Sequence, residues 1–160
     1  MMLPHTAVQL VLLLGLGSWA EGLCPDDLDS SCKQNSYKEP VSSGAVVSYE
    51  QLKQMLESEN VQLFDVREPD EFEEGAIPGA TNTPLSELEQ AFTLPPDQFT
   101  ELYGVAMPGK DDPDFILYCQ RGRRSLIALE MVQELGYSRA CHYGGGYSEW
   151  AELEEQWQQL

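Results

Sequence analysis

Cys119 is followed by Gln120, Arg121, Gly122, Arg123, Arg124 and Ser125. A cysteine at the end of an apolar run is ordinarily a packed core residue, but these neighbours change its meaning. Gly122 lets the backbone curl so that several amides point inward. A helix beginning directly after the loop adds unpaired amides and a partial positive charge. Such a loop binds an anion, and the same groups favour a thiolate over a thiol, which makes the sulfur a nucleophile. Cations at a helix N-terminus oppose its dipole by a few tenths to about 1 kcal/mol each at low salt. Three arginines gathered there therefore argue for a bound anion over a merely solvated surface. The chemistry expected is attack by Cys119 on an anionic substrate cradled by Gln120, Arg121, Gly122, Arg123, Arg124 and Ser125.

The surrounding elements would have to hold that loop. Phe115-Ile116-Leu117-Tyr118 is the clearest strand in the chain, and a helix from about Arg124 to Leu135, ended by Gly136, follows the loop. Upstream, Ser48 with Gln51 resembles a capping box. Leu52, Met55 and Leu56 then mark one face of a helix ending near Ser58. Val61 to Val66 suits a buried parallel strand. Arg67 to Gly75 is helical in character, and Ile77-Pro78-Gly79-Ala80 turns the chain into a short extended segment. Leu85, Leu88, Ala91 and Phe92 lie at helical spacing, and Pro95-Pro96 can open a helix through Tyr103. Residues 107–114 read as a loop, 140–143 as a strand, Gly144 to Gly146 as a turn and Ser148 to Leu153 as a terminal helix. Strands alternating with helices imply an α/β fold, a parallel sheet with helices on both faces and a ligand site beyond the carboxyl ends of the strands. Asp65 and Cys119 both fall at such ends.

The 160 residues suit one domain with an extension. Nine basic against 27 acidic side chains leave a net charge of -18, which repels phosphate backbones and anionic membrane surfaces. Nucleic acid is excluded as an expected partner, as is a membrane for the mature form. Ala7 to Gly17 is apolar apart from Gln9, and Ser18-Trp19-Ala20 supplies small residues of the kind a signal peptidase reads. The expected organisation is a signal peptide over 1–20, a flexible acidic lead-in over 21–44 and a folded domain over 45–157. That places the protein in the endoplasmic reticulum or outside the cell, or in the cytoplasm if the leader is not used. In an oxidising compartment Cys24 and Cys32 are a candidate disulfide, although four cysteines allow three connectivities. Cys141 is expected as a small buried hydrophobe on a strand.

Cys119, Gly122, Arg124 and Ser125 resemble the active-site loop of the rhodanese family of sulfurtransferases. Asp65-Val66-Arg67, Glu71-Phe72, Gly75 and Ile77-Pro78-Gly79-Ala80 are similar to its first fingerprint, and Gly145-Gly146 with Trp150 to its closing one. Ala76 departs from it, standing where histidine is common. The resemblance implies a single rhodanese-like domain, a parallel sheet of about five strands, and a monomeric enzyme of the short thiosulfate:glutathione type. It implies transfer of sulfane sulfur from thiosulfate through a Cys119 persulfide to glutathione, another thiol or cyanide, with no metal or organic cofactor. Asp65, Arg67 and Glu71 would brace the site, Arg124 would be the best-matched donor-binding arginine, and Trp150 would be core. Phosphatases and arsenate reductases on a similar fold have a loop one residue longer between cysteine and arginine. Here Arg124 follows Cys119 after four residues, and that shorter cradle suits sulfane sulfur better than tetrahedral phosphate. A non-catalytic rhodanese-like binding module is the other alternative, against which the intact Cys119 loop argues. A thiol-disulfide protein would carry a Cys-x-x-Cys pair, which the sequence lacks.

Overall fold

The computed structural model describes residues 45–158. The leader over 1–20, the lead-in over 21–44 and with them Cys24 and Cys32 lie outside the described residues. Along the chain run β1 (Val46–Val47), α1 (Tyr49–Glu57), β2 (Gln62–Asp65), α2 (Pro69–Glu74) and β3 (Thr81–Asn82). They are followed by α3 (Leu88–Ala91), α4 (Pro96–Tyr103), β4 (Phe115–Tyr118), α5 (Arg123–Glu134), β5 (Cys141–Tyr143) and α6 (Gly146–Gln158). The five strands form one sheet in the order β1-β5-β4-β2-β3, every neighbouring pair parallel.

Local sequence accounts for most of these elements. Ser48 caps α1 through a reciprocal pair of bonds, its hydroxyl accepting the Gln51 N–H at 3.3 Å and its own N–H donating to Gln51 Oε1 at 2.8 Å. Pro69 and Pro96 each stand in a first helical turn, where a missing N–H costs nothing. Two features differ from the sequence expectation. The two-residue strand β1 carries too little apolar pattern to be read, and only its parallel pairing with β5 makes it a strand. The last helix starts two residues earlier and runs five further than expected. Its first-turn amides find acceptors in the Cys119 loop, and its far end is tied to α1 by the Lys53–Glu154 ion pair at 2.7 Å and the Tyr49 hydroxyl.

β4 lies at the centre of the sheet and is buried on both faces, which is why its sequence is apolar without alternation. Phe115, Leu117 and Cys119 face a layer made by α3, α4 and α5, while Ile116 and Tyr118 face α1 and α6. In the first layer Phe92 stacks on Phe115 at 5.1 Å between ring centroids, and Phe64 meets both rings edge-on at 5.4 Å. In the second, Trp150 is buried against Tyr49 at 5.3 Å. Asp65 pairs with Tyr118 in the β2–β4 register, and the Val66 N–H donates to the Tyr118 carbonyl at 2.9 Å. The carboxyl ends of the two central strands are therefore level, so that Asp65 and Cys119 open onto one edge. Among the described residues no helix is long and apolar enough to cross a membrane.

Candidate active site

Cys119 is the first residue beyond β4 and is 1% exposed. The chain turns through Gln120, Arg121 and Gly122 and enters α5 at Arg123. Gly122 takes a left-handed conformation at φ +83°, and a side chain on it would run into the Gly144 carbonyl oxygen. Both demands select glycine. The start of α6 clasps the same loop: the Tyr147 N–H donates to the Cys119 carbonyl at 2.8 Å and the Ser148 N–H to the Gln120 carbonyl at 3.1 Å. Orphan amides of a helix start are thus satisfied by a loop that needs its carbonyls turned outward. The Cys119 sulfur lies 3.6 Å from Ser125 Oγ, which is itself 3.1 Å from the Gly122 carbonyl and 3.1 Å from His142 Nδ1.

A second group of side chains fixes the loop from the β2 side. Asp65 and Arg67 are 0% and 2% exposed and form a forked pair, with Arg67 Nη2 2.6 Å from Asp65 Oδ2 and Nε 3.0 Å from both carboxylate oxygens. Burial works against charge on Arg67, yet the hydrogen bonds and attraction from Asp65 outweigh it and raise its pKa. Its remaining donors reach the Gly75 carbonyl at 2.7 Å and Gln120 Oε1 at 3.0 Å, and its guanidinium stands 4.5 Å from the centre of the Tyr147 ring. Gln120 Nε2 in turn donates to Ser148 Oγ at 2.8 Å. The turn at Ile77 is anchored where its N–H donates to the Tyr118 hydroxyl at 3.1 Å. Burial, and after it the Asp65 carboxylate, pushes the Tyr118 phenol above its ordinary value, so it remains a neutral donor or acceptor.

The three arginines of the loop separate into two kinds. Arg124 makes a bidentate pair with Glu71 at 2.6 and 2.7 Å. The bonds from Arg124 hold the Glu71 carboxyl down to about 2 against opposing desolvation, and Glu71 raises the pKa of Arg124 in return. Arg121 and Arg123 are exposed, and among the described residues no hydrogen-bond or ion-pair partner engages their guanidinium groups. Of the side chains expected to meet the donor, Gln120 and Arg124 are thus held by the scaffold, Ser125 faces the sulfur, and Arg121 and Arg123 reach into solvent. Asp65 holds Arg67, Arg67 reaches the loop through Gln120, and Glu71 holds Arg124. Cys141, expected to be buried, is only half-buried on β5, its Sγ 3.6 Å from the Arg139 carbonyl. Trp150 is a core residue, 7% exposed.

Three neighbours escaped the sequence reading. Tyr147 and Ser148 meet the loop only because α6 returns across it, and His142 meets Ser125 only because β5 lies beside β4 with its alternate residues toward α5. The usable signal for His142 was period-two alternation on β5, which sets it on the face opposite to Cys141 and Tyr143. Among the described residues no cluster of three or more His, Cys, Asp or Glu side chains is placed to hold a metal ion.

The geometry agrees with comparisons against known proteins. The family model described as Rhodanese-like domain matches residues 48–153. The human protein named thiosulfate:glutathione sulfurtransferase is 40% identical over 114 residues, covering 71% of this chain and 99% of that protein. The Saccharomyces cerevisiae protein of the same name is 32% identical over 117 residues, covering 72% of this chain and 84% of the relative. The solved structure of the human single-domain sulfurtransferase TSTD1 superposes with a TM-score of 0.65 at 42% identity, covering 68% of this chain and 96% of that one.

Proposed function

The chain belongs to the rhodanese-like domain family and is a sulfurtransferase, and from that premise we propose that it takes sulfane sulfur from thiosulfate onto Cys119 and passes it to a thiol such as glutathione, or to cyanide. The observation that carries this reading is the short cradle: Cys119 at the head of a loop that closes onto α5 after Gly122, with two exposed arginines at its mouth. In the first half-reaction the Cys119 thiolate attacks the outer sulfur of thiosulfate. The S–S bond of the donor breaks, sulfite leaves with its electron pair, and a persulfide remains on the cysteine. Arg121 and Arg123 attract the dianion and stabilise departing sulfite, while Arg124 supplies positive charge from a position fixed by Glu71. In the second half-reaction a thiolate acceptor attacks the outer persulfide sulfur, and the Cys119 thiolate is regenerated. Asp65 and Arg67 act by holding Gln120 and the turn at Gly75, so their part is positional.

The name of the human relative favours thiosulfate and glutathione as the substrate pair. The phosphatase alternative has no comparable support, because the loop is too short for the longer cradle. Mass spectrometry after thiosulfate treatment tests the proposal: one added sulfur is expected on the Cys119 peptide and on no other. Cys119→Ser is expected to abolish transfer to cyanide or glutathione while the domain stays folded, since a hydroxyl forms no persulfide. Turnover retained by that variant refutes the assignment.

For location, the reading is that residues 1–20 are removed and that a Cys24–Cys32 bond leaves Cys119 reduced, with a monomeric domain over 45–157. The composition of 7–20 supports it. A related Schizosaccharomyces pombe protein is named as mitochondrial, so export and import make different predictions. N-terminal sequencing from expressing cells separates them: a start near Glu21 is expected, and soluble cytosolic protein retaining Met1 or Met2 overturns both cleavage and disulfide.

A further inference from the structure

We infer that His142 is a positioning residue for Cys119, acting through the Ser125 hydroxyl: in its Nδ1–H form it donates to Ser125 Oγ, which frees the hydroxyl proton to bind the negatively charged sulfur. This rests on the reading of Cys119 as the nucleophile. Three elements meet here, with Cys119 from the end of β4, Ser125 from the first turn of α5 and His142 from β5. All three residues are buried, at 1%, 0% and 5% exposure.

The Ser125 hydroxyl has one proton and two lone pairs but three polar neighbours: the sulfur at 3.6 Å, His142 Nδ1 at 3.1 Å and the Gly122 carbonyl at 3.1 Å. When Cys119 is a thiol, its S–H can donate to Oγ, and the hydroxyl proton can go to the carbonyl or the ring. When the sulfur is a thiolate or a persulfide anion it only accepts, so the hydroxyl proton must turn toward it. The Gly122 carbonyl loses nothing essential, because it also accepts the Leu126 N–H at 3.1 Å. The lone pairs of Oγ then need a donor. A carbonyl cannot be one, and an imidazole carrying its hydrogen on Nδ1 can. Burial pushes the His142 pKa below its ordinary value, which keeps the ring neutral. Protonation of the ring by the cysteine would place a cation in a desolvated site, so the geometry assigns His142 a directed hydrogen bond and not the role of a general base.

Position is what the test must isolate. The amide of His142→Asn falls near the place of Nδ1, whereas that of His142→Gln falls one carbon further, and His142→Phe has no polar atom. The rate of Cys119 alkylation by iodoacetamide, followed by mass spectrometry on the Cys119 peptide, reads the reactivity of the sulfur without requiring turnover. Below the thiol pKa, a hydrogen bond supporting the thiolate corresponds to roughly tenfold in thiolate fraction, and the accompanying fall in nucleophilicity leaves about threefold in alkylation rate. His142→Phe and His142→Gln are expected to slow alkylation by about that factor, and His142→Asn to recover most of it. In a Ser125→Ala background the His142 substitutions should add little, because the intermediary is gone. If Asn is as slow as Gln, or if the His142 penalty persists undiminished in Ser125→Ala, the inference is overturned. Should His142→Phe fail to fold, the Asn and Gln pair carries the comparison. Failure of the sulfurtransferase reading is distinguishable, since it appears as turnover by Cys119→Ser or absence of the added sulfur, whatever the alkylation rates.

Discussion

Arg124 illustrates how a residue chosen for one partner can be found holding another. Its position after Cys119 points to the donor, yet its guanidinium forks onto Glu71. Both side chains of the pair are about a third exposed, at 33% and 30%, so its direct contribution to stability is expected to be at most about 1 kcal/mol. Its larger effect is to aim a cation. Arg124→Ala is therefore expected to raise KM for thiosulfate about tenfold, the scale of one lost charge-assisted hydrogen bond, while moving Tm by only a few degrees. Parallel steady-state and thermal measurements check this, and comparable losses in both would mark the residue as structural. Glu71 carries a pH signature. Its folded pKa of about 2 lies below the ordinary 4.5, so its stabilising contribution is complete above the ordinary value and is lost as pH falls through the folded one. The Tm difference between the wild type and Glu71→Gln should accordingly be steady near neutral pH and shrink toward pH 2.

At the scale of elements, the cradle depends on two glycines whose constraints come from opposite sides of the sheet edge. Gly122 joins β4 to α5 in a left-handed conformation, and Gly146 begins α6 beneath the Cys119 carbonyl. Gly122→Ala combines a left-handed strain of about 1–2 kcal/mol with the collision against Gly144. A loss of at least about 2 kcal/mol and of most activity is expected from chemical denaturation and transfer assays. Loop length is separable from loop strain. Inserting one glycine between Arg123 and Arg124 lengthens the cradle to that of the phosphatase alternative and should shift the ratio of aryl phosphate hydrolysis to sulfur transfer upward. An unchanged ratio would mean that something other than loop length sets the preference.

For the whole molecule, the governing fact is a net charge of -18 on a chain whose proposed donor is a dianion. At about 10 mM salt the screening length is roughly 30 Å and the entire charge repels the donor, whereas at about 150 mM it is roughly 8 Å and the arginines at the loop mouth dominate. The value of kcat/KM for thiosulfate should therefore rise with salt over this range, and Arg121→Gln with Arg123→Gln should lower it at the higher salt. Stopped-flow measurement of persulfide formation tests both. A fall with added salt in the wild type would place the steering in the local arginines alone.

The sequence by itself determined what short-range physics decides. The apolar run of β4, the capping box of Ser48 and Gln51, the prolines opening α2 and α4, and the Cys119–Ser125 spacing all depend on residues within a few positions of each other. From them came the parallel α/β class, the strand-loop-helix turn and the candidate nucleophile. Only the tertiary structure decided which side chains meet across long separations: Glu71 with Arg124, Gln120 with Arg67 and Ser148, and His142 with Ser125. The same holds for β1, a strand only by virtue of β5, and for the length of α6, set by the Cys119 loop at one end and α1 at the other. Strand order and helix return bring these partners together. Those are properties of how faces pack, and no local pattern of residue types encodes which polar group a buried side chain will find on the neighbouring element.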